Sequence, residues 1–189
     1  MKRSVKMRIL AGISMMVVTA CWSGTSVYAT DEQASGDTDY LTNHTVSQTS
    51  GNKSGDLDSY NHPDRNLEIK WTDDSRGNKA PVCDGTVTAK NIKIDSNFAT
   101  KADFNWMDKG VISQSDVGSH LTASGDIKIT SHDDGVYTDS NGKVTIDDFK
   151  NLTIESKGTG DGDDSGINGS AYGIVDNGNG ISIKGGKGS

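Results

Sequence analysis

The sequence has 189 residues, enough for one domain beside targeting sequence. Hydrophobic residues make up 32%, against roughly 45–50% in ordinary globular chains. That argues against a thick core and leaves room for a thin one. With 23 glycines, two prolines and a net charge of −7, the chain reads as neither collagen nor a proline-rich linker, nor as a binder of nucleic acid or anionic membrane.

Residues 1–29 read as a secretory signal. Lys2, Arg3, Lys6 and Arg8 form a basic start, and Ile9–Ala20 is an apolar run too short to span a bilayer comfortably. Val27-Tyr28-Ala29 suits cleavage after Ala29. A membrane anchor is the competing use of the same run. Val18-Thr19-Ala20-Cys21 also resembles a relaxed lipobox, which would place a lipid on Cys21 instead. Cleavage after Ala29 removes four cations and no anion, taking the net charge from −7 to −11. Cys83 is then the one remaining cysteine, so the fold stands without a disulfide within the chain, and Cys83 is expected to pack as a small hydrophobe.

Residues 30–65 are rich in Thr, Ser, Asp, Gly and Asn, with scattered Tyr40, Leu41, Val46, Leu57 and Tyr60. So little apolar surface predicts a flexible polar leader. Order is expected over residues 66–189. Leu67, Ile69 and Trp71 alternate with Glu68 and Lys70, the period of a half-buried strand. Val87–Ile94 predicts two short strands with a bend. Phe98, Phe104, Trp106, Met107, Val111 and Ile112 cluster without alternation, as a loop with an aromatic plug or a short helix. Leu121, Ile127-Lys-Ile129, Val136–Thr138, Val144-Thr-Ile146, Leu152-Thr-Ile154, Tyr172–Val175 and Ile181-Ser-Ile183 complete the series. Asn141-Gly142 marks a turn, and residues 157–170 form a Gly/Asp/Ser loop.

The triplets beginning at Leu67, Ile92, Ile127, Leu152 and Ile181 recur at spacings of 25, 35, 25 and 29 residues. Strands this short cannot bury an apolar face alone. Stacked about 4.8 Å apart, they make a continuous thin core, and a period of ~20–50 residues is the sequence mark of such stacking. The predicted fold is therefore all-β, a parallel β-helix open at the C-terminal end. Its aliphatics point inward, and Lys93, Lys128, Thr145, Thr153 and Ser182 point outward. An antiparallel β-sandwich, with longer strands and stronger hairpins, is the alternative.

Gly135-Val-Tyr-Thr-Asp-Ser-Asn-Gly-Lys-Val-Thr-Ile146, Lys150–Ser156 and Gly173–Gly186 resemble passenger regions of bacterial autotransporter adhesins. The likeness covers the signal and about residues 85–189, in degenerate motifs. It implies a right-handed parallel β-helix shown at the cell surface, with a structural or adhesive role and a host-surface or polysaccharide ligand. Such proteins end in an outer-membrane β-barrel. No such strands occur here, so the expectation is an N-terminal piece of a longer protein, reaching the outer membrane only through a barrel beyond Ser189.

Calcium is the metal the acidic turns suggest, because it takes several hard oxygens. Asp139, Asn141 and Asp148 partly imitate an EF-hand loop, although Tyr137 stands where its first carboxylate belongs. Asp161, Asp163 and Asp164 lie in a stretch like a single calcium-binding nonapeptide. The simpler reading of both is soluble Asp/Gly turns. No catalytic residue is assigned. A polysaccharide-active β-helix enzyme is the alternative function, and a lipid-anchored β-sandwich lipoprotein is another. Arg65 and Arg76 fall in turn-like sequence, while His44, His62, His120 and His132 share no ligand spacing. Trp71 and Trp106 suit packing better than sugar stacking.

Overall fold

A computed structural model of the chain describes residues 36–49, 54–72, 80–96, 109–157 and 172–186. These residues are all-β, with no helix among them. The strands are β1 (Thr38–Thr42), β2 (Ser59–Lys70), β3 (Val82–Cys83), β4 (Thr86–Ser96), β5 (Val111–Ser113) and β6 (Ser119–Ala123). They continue as β7 (Asp126–Ser131), β8 (Val136–Asp139), β9 (Val144–Phe149), β10 (Asn151–Ser156), β11 (Ile174–Asn177) and β12 (Ile181–Gly185).

Every strand pair is parallel, which removes the antiparallel sandwich. Eight strands form one sheet, and β11-β8-β5-β3 form a second. The larger sheet is two stacks side by side. In one, β1, the end of β2, the end of β4, β7 and β10 lie in that order. In the other, the starts of β2 and β4 are followed by β6, β9 and β12. The long strands β2 and β4 belong to both stacks. Pro63 falls where the β2–β4 register breaks, a point at which its missing N–H costs no ladder bond.

The register explains the triplets. Leu67, Ile92, Ile127 and Leu152 are successive partners, as are Leu41, Ile69, Ile94, Ile129 and Ile154. Ile181 belongs to the other stack, opposite Val144, so the last spacing of the series joins two different rows. Between the sheets, these side chains meet Val82, Val111 and Val136 of the smaller sheet in one core. Ile69, Ile94 and Ile129 are wholly buried. Burying such a side chain contributes about 1.5–3 kcal/mol, so a thin core suffices when successive strands each add one or more.

The leader expectation fails for the described part of residues 30–65. β1 pairs with Asn66–Lys70, and Ser59–His62 pair with Thr86–Ala89. Leu41, Val46, Leu57 and Tyr60 are all buried. Few apolar residues are needed because each falls on the inward side, and Val46 bridges both Leu57 and Val82. Trp71 is buried, following β2. Cys83 is buried beside Ala80, Ile112 and Tyr137 in a separate apolar cluster. The signal segment, Phe98, Phe104, Trp106, Met107 and Arg76 lie outside the described residues.

Candidate functional site

One edge of the β1-β2-β4-β7-β10 stack carries a polar ladder. Asn66 Nδ2 donates to Thr38 Oγ1 at 3.3 Å, and Asn91 Nδ2 donates to Asn66 Oδ1 at 2.7 Å. The Asp126 backbone N–H donates to Asn91 Oδ1 at 2.7 Å, and Asn151 Nδ2 to Asp126 Oδ1 at 2.8 Å. An amide has two donors and an acceptor oxygen with two lone pairs. Asn66 and Asn91 therefore each join a neighbour on either side and keep some capacity for a ligand.

Beside this ladder runs the outward row Tyr40, Glu68, Lys93, Lys128, Thr153, all in direct register. Lys93 Nζ lies 2.8 Å from Glu68 Oε1, and Lys128 Nζ lies 3.5 Å from Glu155 Oε2. Glu155 also meets Lys157 at 3.3 Å. Hydrogen bonding to Lys157, with Lys128 nearby, holds the Glu155 carboxyl below its usual range. The ladder and the row enclose a shallow groove of about 370 Å³ lined by Thr38, Tyr40, Asn66, Leu67, Glu68, Asn91, Ile92, Lys93, Asp126 and Lys128. Its walls hold amide, hydroxyl, carboxylate and ammonium groups around one aromatic ring, a set that suits a polar, hydroxylated ligand.

Three other polar clusters are tied up structurally. Asp39 accepts from Arg65 Nε at 2.8 Å, Arg65 Nη2 at 2.5 Å and Tyr60 Oη at 2.6 Å. The Arg65 hydrogen bonds hold its carboxyl below the usual range. Lys109 Nζ sits between Asp133 and Asp134, 2.6 Å from the latter, and 4.7 Å from the Tyr137 ring centre. Burial opposes the Lys109 charge, yet the two carboxylates outweigh it and raise its pKa. Burial pushes Asp134 up against the pull of Lys109. Lastly, His120 Nε2 lies 3.2 Å from Asp147 Oδ2 and 3.3 Å from Thr122 Oγ1. One nitrogen faces both groups, whereas a nucleophile relay needs the acid and the hydroxyl on opposite ring nitrogens.

Among the calcium candidates, Asp139 ends β8 and its carbonyl accepts from Gly142 N–H at 2.8 Å. Asn141 offers its carbonyl to Asn179 Nδ2 at 3.1 Å. Asp148 is in β9 with φ of +60°. Among the described residues, no three His, Cys, Asp or Glu side chains converge as a metal site. Asp161, Asp163 and Asp164 lie outside the described residues.

Lys93, Lys128, Thr153 and Ser182 are exposed, and Thr145 is half-buried; Thr145 and Ser182 lie in the neighbouring stack. Tyr40 and the Asn/Asp ladder were not foreseen as groove walls. The signal was there: Asn66, Asn91, Asp126 and Asn151 each directly precede an apolar triplet. No family model, curated protein or solved structure matches the chain.

Proposed function

We propose that this chain is part of a right-handed parallel β-helix, exported and displayed on a bacterial surface, where it serves as scaffold and adhesive face. The observation that carries the reading is the in-register order of its parallel strands. Each pass adds one row to the same stacks, and each row adds an outward side chain at the same position. Such a wall presents a long repeating array rather than a deep pocket. Adhesion suits it because many modest contacts along one ligand sum into useful avidity.

Within this reading the ligand face is the groove beside the Asn/Asp ladder, and the ligand is a glycan of a host surface or matrix. Attachment to the outer membrane would run through a barrel in a longer product. The test is display and adherence together. Cells expressing the natural gene product should lose the epitope of this chain on brief protease treatment, and lose adherence to glycan-bearing surfaces with it. Mass spectrometry of the exported N-terminus separates cleavage after Ala29 from a lipid on Cys21. Retention of the intact chain in the cytoplasm overturns the proposal.

A further inference from the structure

Resting on that reading, we infer that the groove takes an anionic polysaccharide, with one carboxylate or sulfate seated between Lys93 and Lys128. These two lysines are direct cross-strand partners on one outward face. Like charges in that position repel. Each is matched on its far side: Lys93 with Glu68 and Lys128 with Glu155. The row therefore reads acid, base, base, with the second acid on the next strand two residues beyond Thr153, and the unmatched interval is the one between the two ammonium groups. Both are about half exposed, 49% and 50%, and both line the same concave surface. An anion there relieves the repulsion and meets two charged donors at once, the stronger class of hydrogen bond.

The surroundings fit a sugar acid better than a bare ion. Asn66 and Asn91 each use one amide hydrogen along the ladder and keep another for a hydroxyl. Tyr40, half-buried, stands at the end of the row and lines the groove as its one aromatic. Two wall carboxylates, Glu68 and Asp126, oppose an anion; Glu68 is paired with Lys93 at 2.8 Å, and Asn151 engages Asp126 Oδ1 at 2.8 Å. A sugar ring is about as long as one strand spacing of roughly 4.8 Å, so a chain laid along the stack can keep step with the rows. The net charge, −7 for the whole sequence and −11 after cleavage at Ala29, acts against polyanions at long range, so the attraction is local and most visible at moderate salt, where the Debye length is about 8–10 Å.

The test is binding of the purified chain to immobilised polygalacturonate, dextran sulfate and unmodified dextran, with Lys93→Gln/Lys128→Gln and Lys184→Gln beside the parent. Far-UV circular dichroism checks that each variant keeps its fold. The expected result is binding to a charged polymer, no binding to dextran, and a loss of about tenfold in the double variant, the equivalent of about 1.4 kcal/mol. Lys184→Gln leaves affinity unchanged. Polygalacturonate against dextran sulfate tells carboxylate from sulfate. Equal binding to dextran, or an unaffected double variant, overturns the anion site while leaving the adhesive face standing. No binding to any polymer, together with undiminished cell adherence after removal of this chain, overturns both.

Discussion

Asn91 is clamped from both sides: its Nδ2 donates to Asn66 Oδ1 at 2.7 Å, and its Oδ1 accepts from the Asp126 backbone N–H at 2.7 Å. The side chain thus bridges two neighbouring strands in the middle of β4, beside the break between β6 and β7. Asn91→Ala removes both bonds and leaves an amide N–H and a neighbouring carbonyl oxygen to water. The expected cost is about 1–2 kcal/mol, at roughly 1 kcal/mol per net hydrogen bond. Asn91→Asp keeps the acceptor and loses the donor, so it should fall between. Urea midpoints at constant slope measure the order; equal midpoints for all three would show that the ladder adds no stability.

Gly135 occupies a corner with no room for a side chain. A Cβ there would lie 2.6 Å from the Gly173 carbonyl oxygen, with Ile154 Cγ2 closer still. The strands cannot part, because Val111 N–H donates to the Gly135 carbonyl at 3.0 Å and Gly135 N–H to the Tyr172 carbonyl at 2.9 Å. Gly135→Ala is expected to cost about 1–3 kcal/mol, the range for overpacking. Gly36→Ala meets nothing within 4 Å, but its φ of +62° adds strain of its own, so it makes a poor control. Thr153→Ala, on the exposed row, is the better one. Thermal midpoints of the two variants should separate clearly.

The core makes the complementary prediction. Ile94 is wholly buried, between Ile69 and Ile129 in the same row. Ile94→Ala leaves a cavity in the middle of a thin column and should cost about 2–5 kcal/mol. Ile154→Ala, in the half-buried outermost position of that row, should cost clearly less. A denaturant series of the two reads the difference directly, and equal losses would deny that burial deepens along the row.

That row was legible in the sequence, because apolar-x-apolar triplets at long period leave few alternatives to parallel stacking. Ile92-Lys-Ile94 and Ile127-Lys-Ile129 fall opposite each other residue for residue. The strands of the smaller sheet were harder to see: β3 is Val82–Cys83, too short for any period to register. The order before Leu67 was missed for a related reason. Leu41, Val46, Leu57 and Tyr60 are spread through polar sequence, and only the ladder partners show that each faces inward. The groove was illegible because it joins Tyr40, Glu68 and Lys93 from three strands, and only the register makes Lys93 and Lys128 neighbours. Asp133 and Asp134, adjacent in sequence, both hold Lys109, a pairing across 24 and 25 residues that no local spacing announces.

Acid should loosen the end of the stack nearest β1. Arg65 holds the Asp39 carboxyl below its usual range, with help from Tyr60. A carboxyl whose folded pKa is lowered adds stability above its unfolded value of about 3.9, and loses it as pH falls through the folded value. Stability should therefore drop below about pH 4. Asp39→Asn removes this part of the loss: the variant is less stable at neutral pH, and its urea midpoint changes less between pH 5 and pH 2.5. Parallel curves for parent and variant would mean that Asp39 carries no share of the acid response.

At the opposite end the apolar rows stay open. Ile174 in β11 and Ile183 in β12 are 45% and 39% exposed, and Tyr172 is 55% exposed. These strands pair on one side only among the described strands, with β8 and β9. Exposed aliphatics beside a free strand edge are a template for another chain. The chain studied alone should therefore self-associate with rising concentration and bind a hydrophobic dye. Ile174→Lys/Ile183→Lys places charge on that edge, where it repels a second copy and removes no buried contact of the kind Ile94 makes. The double variant should sediment as a monomer, with dye binding reduced and a urea midpoint within about 0.5 kcal/mol of the parent, the usual range for surface changes. Association that persists at the same strength would place the sticky surface elsewhere.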